Sequence, residues 1–97
     1  MFNFDEIMEY DDSYYFVNDF DVKIVGHKMF VQHNKTEFLH SARCQLDCLV
    51  YTEMEDHDLS KVLLFTSCKL SESDLTWLDG LNEELKPLHC EVILSDL

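Results

Sequence analysis

Lys61–Cys68, KVLLFTSC, holds the uninterrupted apolar run Val62-Leu63-Leu64-Phe65, with a lysine in front and Thr66-Ser67-Cys68 behind. A run this short suits a strand covered on both faces better than a helix, which would need more length to build an apolar stripe. The rest of the chain can be read as what covers and pairs with this strand.

On its N-terminal side, Glu53, Glu55, Asp56 and Asp58 form a polar connection. Leu46–Met54 precedes it. Val50, Tyr51 and Thr52 favour extended structure, so this segment is expected to be a strand forming a hairpin with Lys61–Cys68. Residues 36–45 fit a helix or a strand equally well. Further back, Phe20, Val22 and Ile24 alternate with Asp21 and Lys23, and Met29–Gln32 resumes the extended pattern after Gly26-His27. That is a hairpin pattern, with glycine supplying the positive φ of a tight turn.

On the C-terminal side, Ser71 stands at a helix N-cap position with Asp74 three residues on. Leu75, Leu78, Leu81, Leu85 and Leu88 keep helical spacing, and Pro87 should stop the helix near Lys86. Cys90, Val92 and Leu94 then share one face of a last strand. At the other end of the chain, Asn3 and Glu6 look like a helix start, with Phe4, Ile7 and Met8 on one face. Asp11 and Asp12 either end that helix or let it run on to Tyr15. The expected fold is α+β over one domain, residues 1–97: a mostly antiparallel sheet with an N-terminal helix and a C-terminal helix packed on it.

Ninety-seven residues, 46% of them hydrophobic, suffice for one core and are too apolar for a disordered acidic tail. No apolar run approaches the roughly 20 residues of a bilayer span. The N-terminus is acidic where a secretory leader would be basic, so a cytoplasmic protein with reduced thiols is expected.

Candidate catalytic chemistry is sparse. Cys44 and Cys48 share a face, and His89 and Cys90 are adjacent, but neither has the turn-rich spacing of a zinc knuckle. They read more simply as small core residues, so no metal and no cofactor is expected. A thiol nucleophile needs a base within hydrogen-bond reach, which nothing local specifies. Adjacent acids such as Asp11-Asp12 or Glu83-Glu84 arise by chance in a chain with 20 carboxylates. Trp77 fits core packing or an interface.

The strong signal is charge. Twenty acids against seven Lys and Arg give a formal net charge of −13. Such self-repulsion costs stability, excludes a protein that binds nucleic acid by neutralising phosphates, and disfavours anionic membranes. The acids cluster: Asp5, Glu6, Glu9, Asp11, Asp12, Asp19 and Asp21; then Glu53, Glu55, Asp56 and Asp58; then Glu72, Asp74, Asp79, Glu83 and Glu84. Carboxylates one helical turn apart lie about 5–6 Å from each other, a density comparable to the phosphates of duplex DNA.

In size, acid content and acid-rich helical faces the chain resembles the small acidic DNA-mimic inhibitors of phages and mobile elements. These include anti-restriction proteins such as the Arn type that blocks a modified-cytosine-dependent restriction nuclease, anti-CRISPR proteins, and inhibitors of uracil-DNA glycosylase. The resemblance rests on no shared motif. It implies a non-enzymatic inhibitor, and the three clusters of acids are the expected partner-binding surface. The partner would be a basic DNA-binding protein or nuclease, without direct nucleic-acid binding, and a homodimer could lengthen the charged surface. An alternative is a regulatory module that meets transcription or replication machinery through an apolar helix face. A weaker third option is a metal-dependent enzyme.

Overall fold

The computed structural model describes residues 15–17 and 19–96. Their order is β1 (Tyr15–Val17), β2 (Phe20–Val25), β3 (Lys28–His33), α1 (His40–Asp56), β4 (Lys61–Thr66), α2 (Glu72–Leu85), a 3-10 turn (Lys86–Leu88) and β5 (Glu91–Asp96). The strands form one five-stranded sheet in sequence order.

The expected hairpin is present. β2 and β3 are antiparallel, with Val22 opposite Val31 and Ile24 opposite Met29. Gly26 turns the chain at φ +61, a left-handed value that costs a residue with a Cβ. β1 adds antiparallel to β2.

The mostly antiparallel sheet is corrected by the other half. β4 lies parallel to β3 and to β5, with Leu64 opposite Val31 and Leu94. Parallel neighbours require a crossover, and each crossover here is a helix. Leu46–Met54 is therefore not a strand of a second hairpin: it lies within α1, which begins at His40 and so also settles residues 40–45 as helix. Its inward stripe of Ala42, Leu46, Leu49 and Val50 has helical spacing and is buried. The other correction concerns the N-terminus. The described chain opens on a strand, so a helix running on to Tyr15 is ruled out, and the expected helix start at Asn3 lies outside the described residues.

Successive right-handed crossovers in one direction along a sheet put their helices on the same side. Both helices do bury into one cluster with Phe20, Val22, Met29, Val31, Val62, Leu64 and Val92. On the opposite sheet face Phe65 is also buried, so β4 is covered on both sides as its sequence suggests. α2 has a reciprocal cap: the Ser71 hydroxyl accepts from Asp74 N–H at 3.1 Å while the Asp74 carboxylate accepts from Ser71 N–H at 3.0 Å. The helix ends at Leu85, and Pro87 sits in the 3-10 turn that follows. Asn82 then grips the backbone of Val92, donating to its carbonyl at 3.0 Å and accepting from its N–H at 2.7 Å. That satisfies part of the otherwise open β5 edge.

Candidate functional site in the acidic helical layer

Three cross-helix relations orient α1 and α2. Arg43 Nε donates to the Asp74 carboxylate at 2.8 Å, and its Nη2 donates to the Ser73 hydroxyl at 2.8 Å and also to Asp74. One turn on, Asp47 shares an interhelical cleft with Trp77, Gly80, Leu81 and Glu84. A further turn on, burial first, then the charges of Glu84 and Asp47, push the Tyr51 phenol pKa up. The pairs 43 with 74, 47 with 77 and 80, and 51 with 84 advance together. The helices therefore run parallel, and their C-terminal ends lie side by side.

Parallel packing puts the ends of two acidic stretches, far apart in the chain, at the same end of the helical layer. The end of α1 carries Glu53, Glu55 and Asp56, with Asp58 just beyond; the end of α2 carries Glu83 and Glu84. Glu55, Asp56, Asp58, Glu83 and Glu84 are exposed, and Glu53 is half-buried with an oxygen 3.5 Å from His57 Nε2. A helix C-terminus already presents the negative end of its macrodipole, so cations are favoured there. Neither last turn holds one. The first Lys or Arg side chains that follow are Lys61 and Lys86, both exposed. Within the two helices the sole Lys or Arg is Arg43, and it is bound to Asp74.

The remaining expected surface acids are placed differently. Glu72 and Asp79 are exposed on α2. Asp74 is not available to a partner: it is 4% exposed and committed to Arg43 and Ser71. Asp19 is half-buried and accepts from Gln45 Nε2 at 3.3 Å, while Asp21 lies half-buried on the sheet face away from the helices. Asp5, Glu6, Glu9, Asp11 and Asp12 lie outside the described residues. Sequence reasoning missed Asp47, because reading its segment as a strand hid its alignment with the acids of α2.

No family model matches the chain, and no curated protein or solved structure is similar to it.

The cysteines and histidines divide between core and surface. Cys90 is buried, and burial pushes its thiol pKa up, so it is a core residue. His89 beside it is exposed in the left-handed region at φ 60. Cys68 donates to the Lys35 carbonyl at 3.1 Å and lies 3.5 Å from His33 Nδ1. His33 itself is buried against the Phe20 and Phe38 rings, 5.4 and 4.9 Å between centroids, with Nδ1 3.2 Å from the Thr66 hydroxyl. Among the described residues no three His, Cys, Asp or Glu side chains converge as a metal cluster.

His33 makes stability pH-dependent. Burial, the largest influence, lowers its pKa; Asp19 pulls it up and Lys35 down, and the net shift is downward. The native state therefore resists a proton that the unfolded chain accepts at about pH 6.5. Stability is full above that pH and falls as the pH drops from there toward the lowered native value. The melting temperature of the wild type is expected to fall more steeply between pH 7 and pH 5 than that of His33→Phe. Parallel curves for the two proteins would show that His33 does not set this dependence.

Proposed function

We propose that the protein is a non-enzymatic inhibitor that occupies the DNA-binding cleft of a nuclease or other basic DNA-binding protein. The observation that carries this reading is that Glu53, Glu55, Asp56 and Asp58 at the end of α1 and Glu83 and Glu84 at the end of α2 fall at one end of the helical layer, with no cation in either last turn. Carboxylates at that end oppose both one another and the helix dipoles, so folding alone gives no reason to gather them there. A cleft lined with Lys and Arg would turn that repulsion into attraction, with the carboxylates in the place of phosphates. The rival reading needs an apolar helix face. Here Ala42, Leu46, Leu49 and Val50 of α1 and Leu78, Leu81 and Leu85 of α2 lie against the sheet, which leaves neither helix a continuous apolar stripe for a partner.

The test begins with capture of the target from bacterial lysate, followed by its nuclease or DNA-binding assay with duplex DNA as competitor. Inhibition is expected to weaken steeply as salt rises and to be relieved by excess duplex. An exposed ion pair contributes only about 0–1 kcal/mol, so Glu83→Gln alone should change little. Neutralising Glu53, Glu55, Asp56, Glu83 and Glu84 together should slow association markedly. Failure of duplex to displace the protein, or full inhibition by the fivefold variant, would remove the cleft reading.

A further inference from the structure

The outermost ridge of α1 carries His40, Cys44 and Cys48, all exposed. Every fourth residue of a helix returns to nearly the same face. The neighbouring positions have other tasks: Arg43 and Asp47 face α2, Gln45 reaches Asp19, and Ala42 and Leu46 face the sheet. The ridge is thus turned away from everything the fold buries. Its imidazole and thiols make no contribution to the core, and exposed thiols carry a risk of oxidation that a solvated serine would avoid.

His40 Nε2 lies 3.5 Å from Cys44 Sγ. Zinc–sulfur and zinc–nitrogen bonds of about 2.3 and 2.0 Å at a tetrahedral angle put the two donors about 3.5 Å apart. The pair already stands at the edge length of a tetrahedral ion, and two ligands one helical turn apart are a recurrent way to hold zinc on a helix. We propose that His40 and Cys44 form a two-donor surface site for a zinc-class divalent cation. The thiolate and imidazole select borderline and soft ions over magnesium or calcium. Cys48 is not a third ligand beside His40, since the two lie about 12 Å apart along the helix axis. The remaining coordination positions are filled by water.

Binding exchanges one bond for another at Cys44: the S–H bond breaks, the sulfur–metal bond forms, and one proton leaves per ion. The net charge of −13 raises the cation concentration near the surface and assists capture. Because both ligands are outside the core, the fold does not depend on the ion. The site is independent of the cleft-binding reading above.

Cobalt(II) is the probe, added to the full chain under reducing, anaerobic conditions. The expected result is a thiolate-to-cobalt charge-transfer band with visible d–d bands, both displaced by zinc. Cys44→Ser should abolish the charge-transfer band, His40→Ala should move the titration midpoint to higher cobalt, and Cys48→Ser should leave both unchanged. A measurement on the wild type guards against a variant that misfolds. Zinc should slow iodoacetamide alkylation of Cys44, mapped by peptide mass spectrometry, and leave the exposed Cys48 unprotected. Absence of a charge-transfer band in the wild type, its persistence in Cys44→Ser, an unmoved midpoint in His40→Ala, or alkylation of Cys44 at the same rate with and without zinc would each overturn the proposal.

Discussion

Phe20→Ala is expected to lower the unfolding free energy by about 3–5 kcal/mol. The ring is fully buried at the start of β2, under the N-terminal part of the helical layer. It sits 5.4 Å from the His33 ring and 6.5 Å, edge-on, from Phe38, which in turn contacts Trp77 at 6.0 Å. Truncation removes the transfer free energy of the ring and leaves a cavity that the two neighbouring rings cannot fill without leaving their own contacts. A domain of this size is typically stable by about 5–15 kcal/mol, so the variant should stand close to unfolding at ambient temperature. Urea denaturation followed by circular dichroism measures it, as a lower midpoint at unchanged slope. Phe20→Leu, which keeps most of the volume, should lose much less. A loss for Phe20→Ala under about 1 kcal/mol, outside the usual range for such truncations, would mean that this end of the core is not closely packed.

Asp74→Ala is the second large effect, about 2–4 kcal/mol from loss of a helix cap together with a partly desolvated ion pair. The substitution leaves Ser71 N–H without its acceptor and Arg43 without its carboxylate, although the Arg43 side chain keeps 20% of its surface in water. It also removes the Arg43–Asp74 link between the N-terminal ends of α1 and α2, which leaves the Arg43–Ser73 hydrogen bond to hold that contact. Burial would raise the Asp74 pKa, but the Ser71 N–H, the Arg43 guanidinium, the Ser71 hydroxyl and the Arg43 charge together hold it below the usual carboxylate range. A carboxyl with a depressed native pKa adds stability that is present above its unfolded value of about 3.9 and is lost as pH falls through the native value. Wild type and Asp74→Asn should therefore differ most at neutral pH and converge on acidification below about pH 4. A gap that stays constant down to pH 2 would show that the carboxylate charge contributes nothing. A double-variant cycle with Arg43→Met separates the pair from the cap.

What the sequence by itself determined is local. The β2–β3 hairpin follows from alternation over Phe20–Ile24 and a glycine at the turn. The α2 boundaries follow from a serine cap, an acid at its third position and Pro87. β4 follows from a short apolar run, which fits burial on both faces. Each of these signals acts between residues a few positions apart, so each survives in the linear text.

The tertiary structure decided the rest, for reasons of distance along the chain. α1 has Leu39 at its N-cap, with no side-chain oxygen to offer and no acid in its first turn. Cys44, Cys48 and Tyr51 face outward, which blurs the apolar stripe that would have announced a helix. Strand direction is equally invisible locally: whether β4 pairs in a hairpin with Leu46–Met54 or meets β3 through a crossover depends on whether that segment is strand or helix. Acid content was plain from composition, but its arrangement was not. Asp74 is drawn into the fold by an arginine 31 positions away. Glu53–Asp58 and Glu83-Glu84 fall at one end of the helical layer because two helices on one side of a parallel sheet must point the same way.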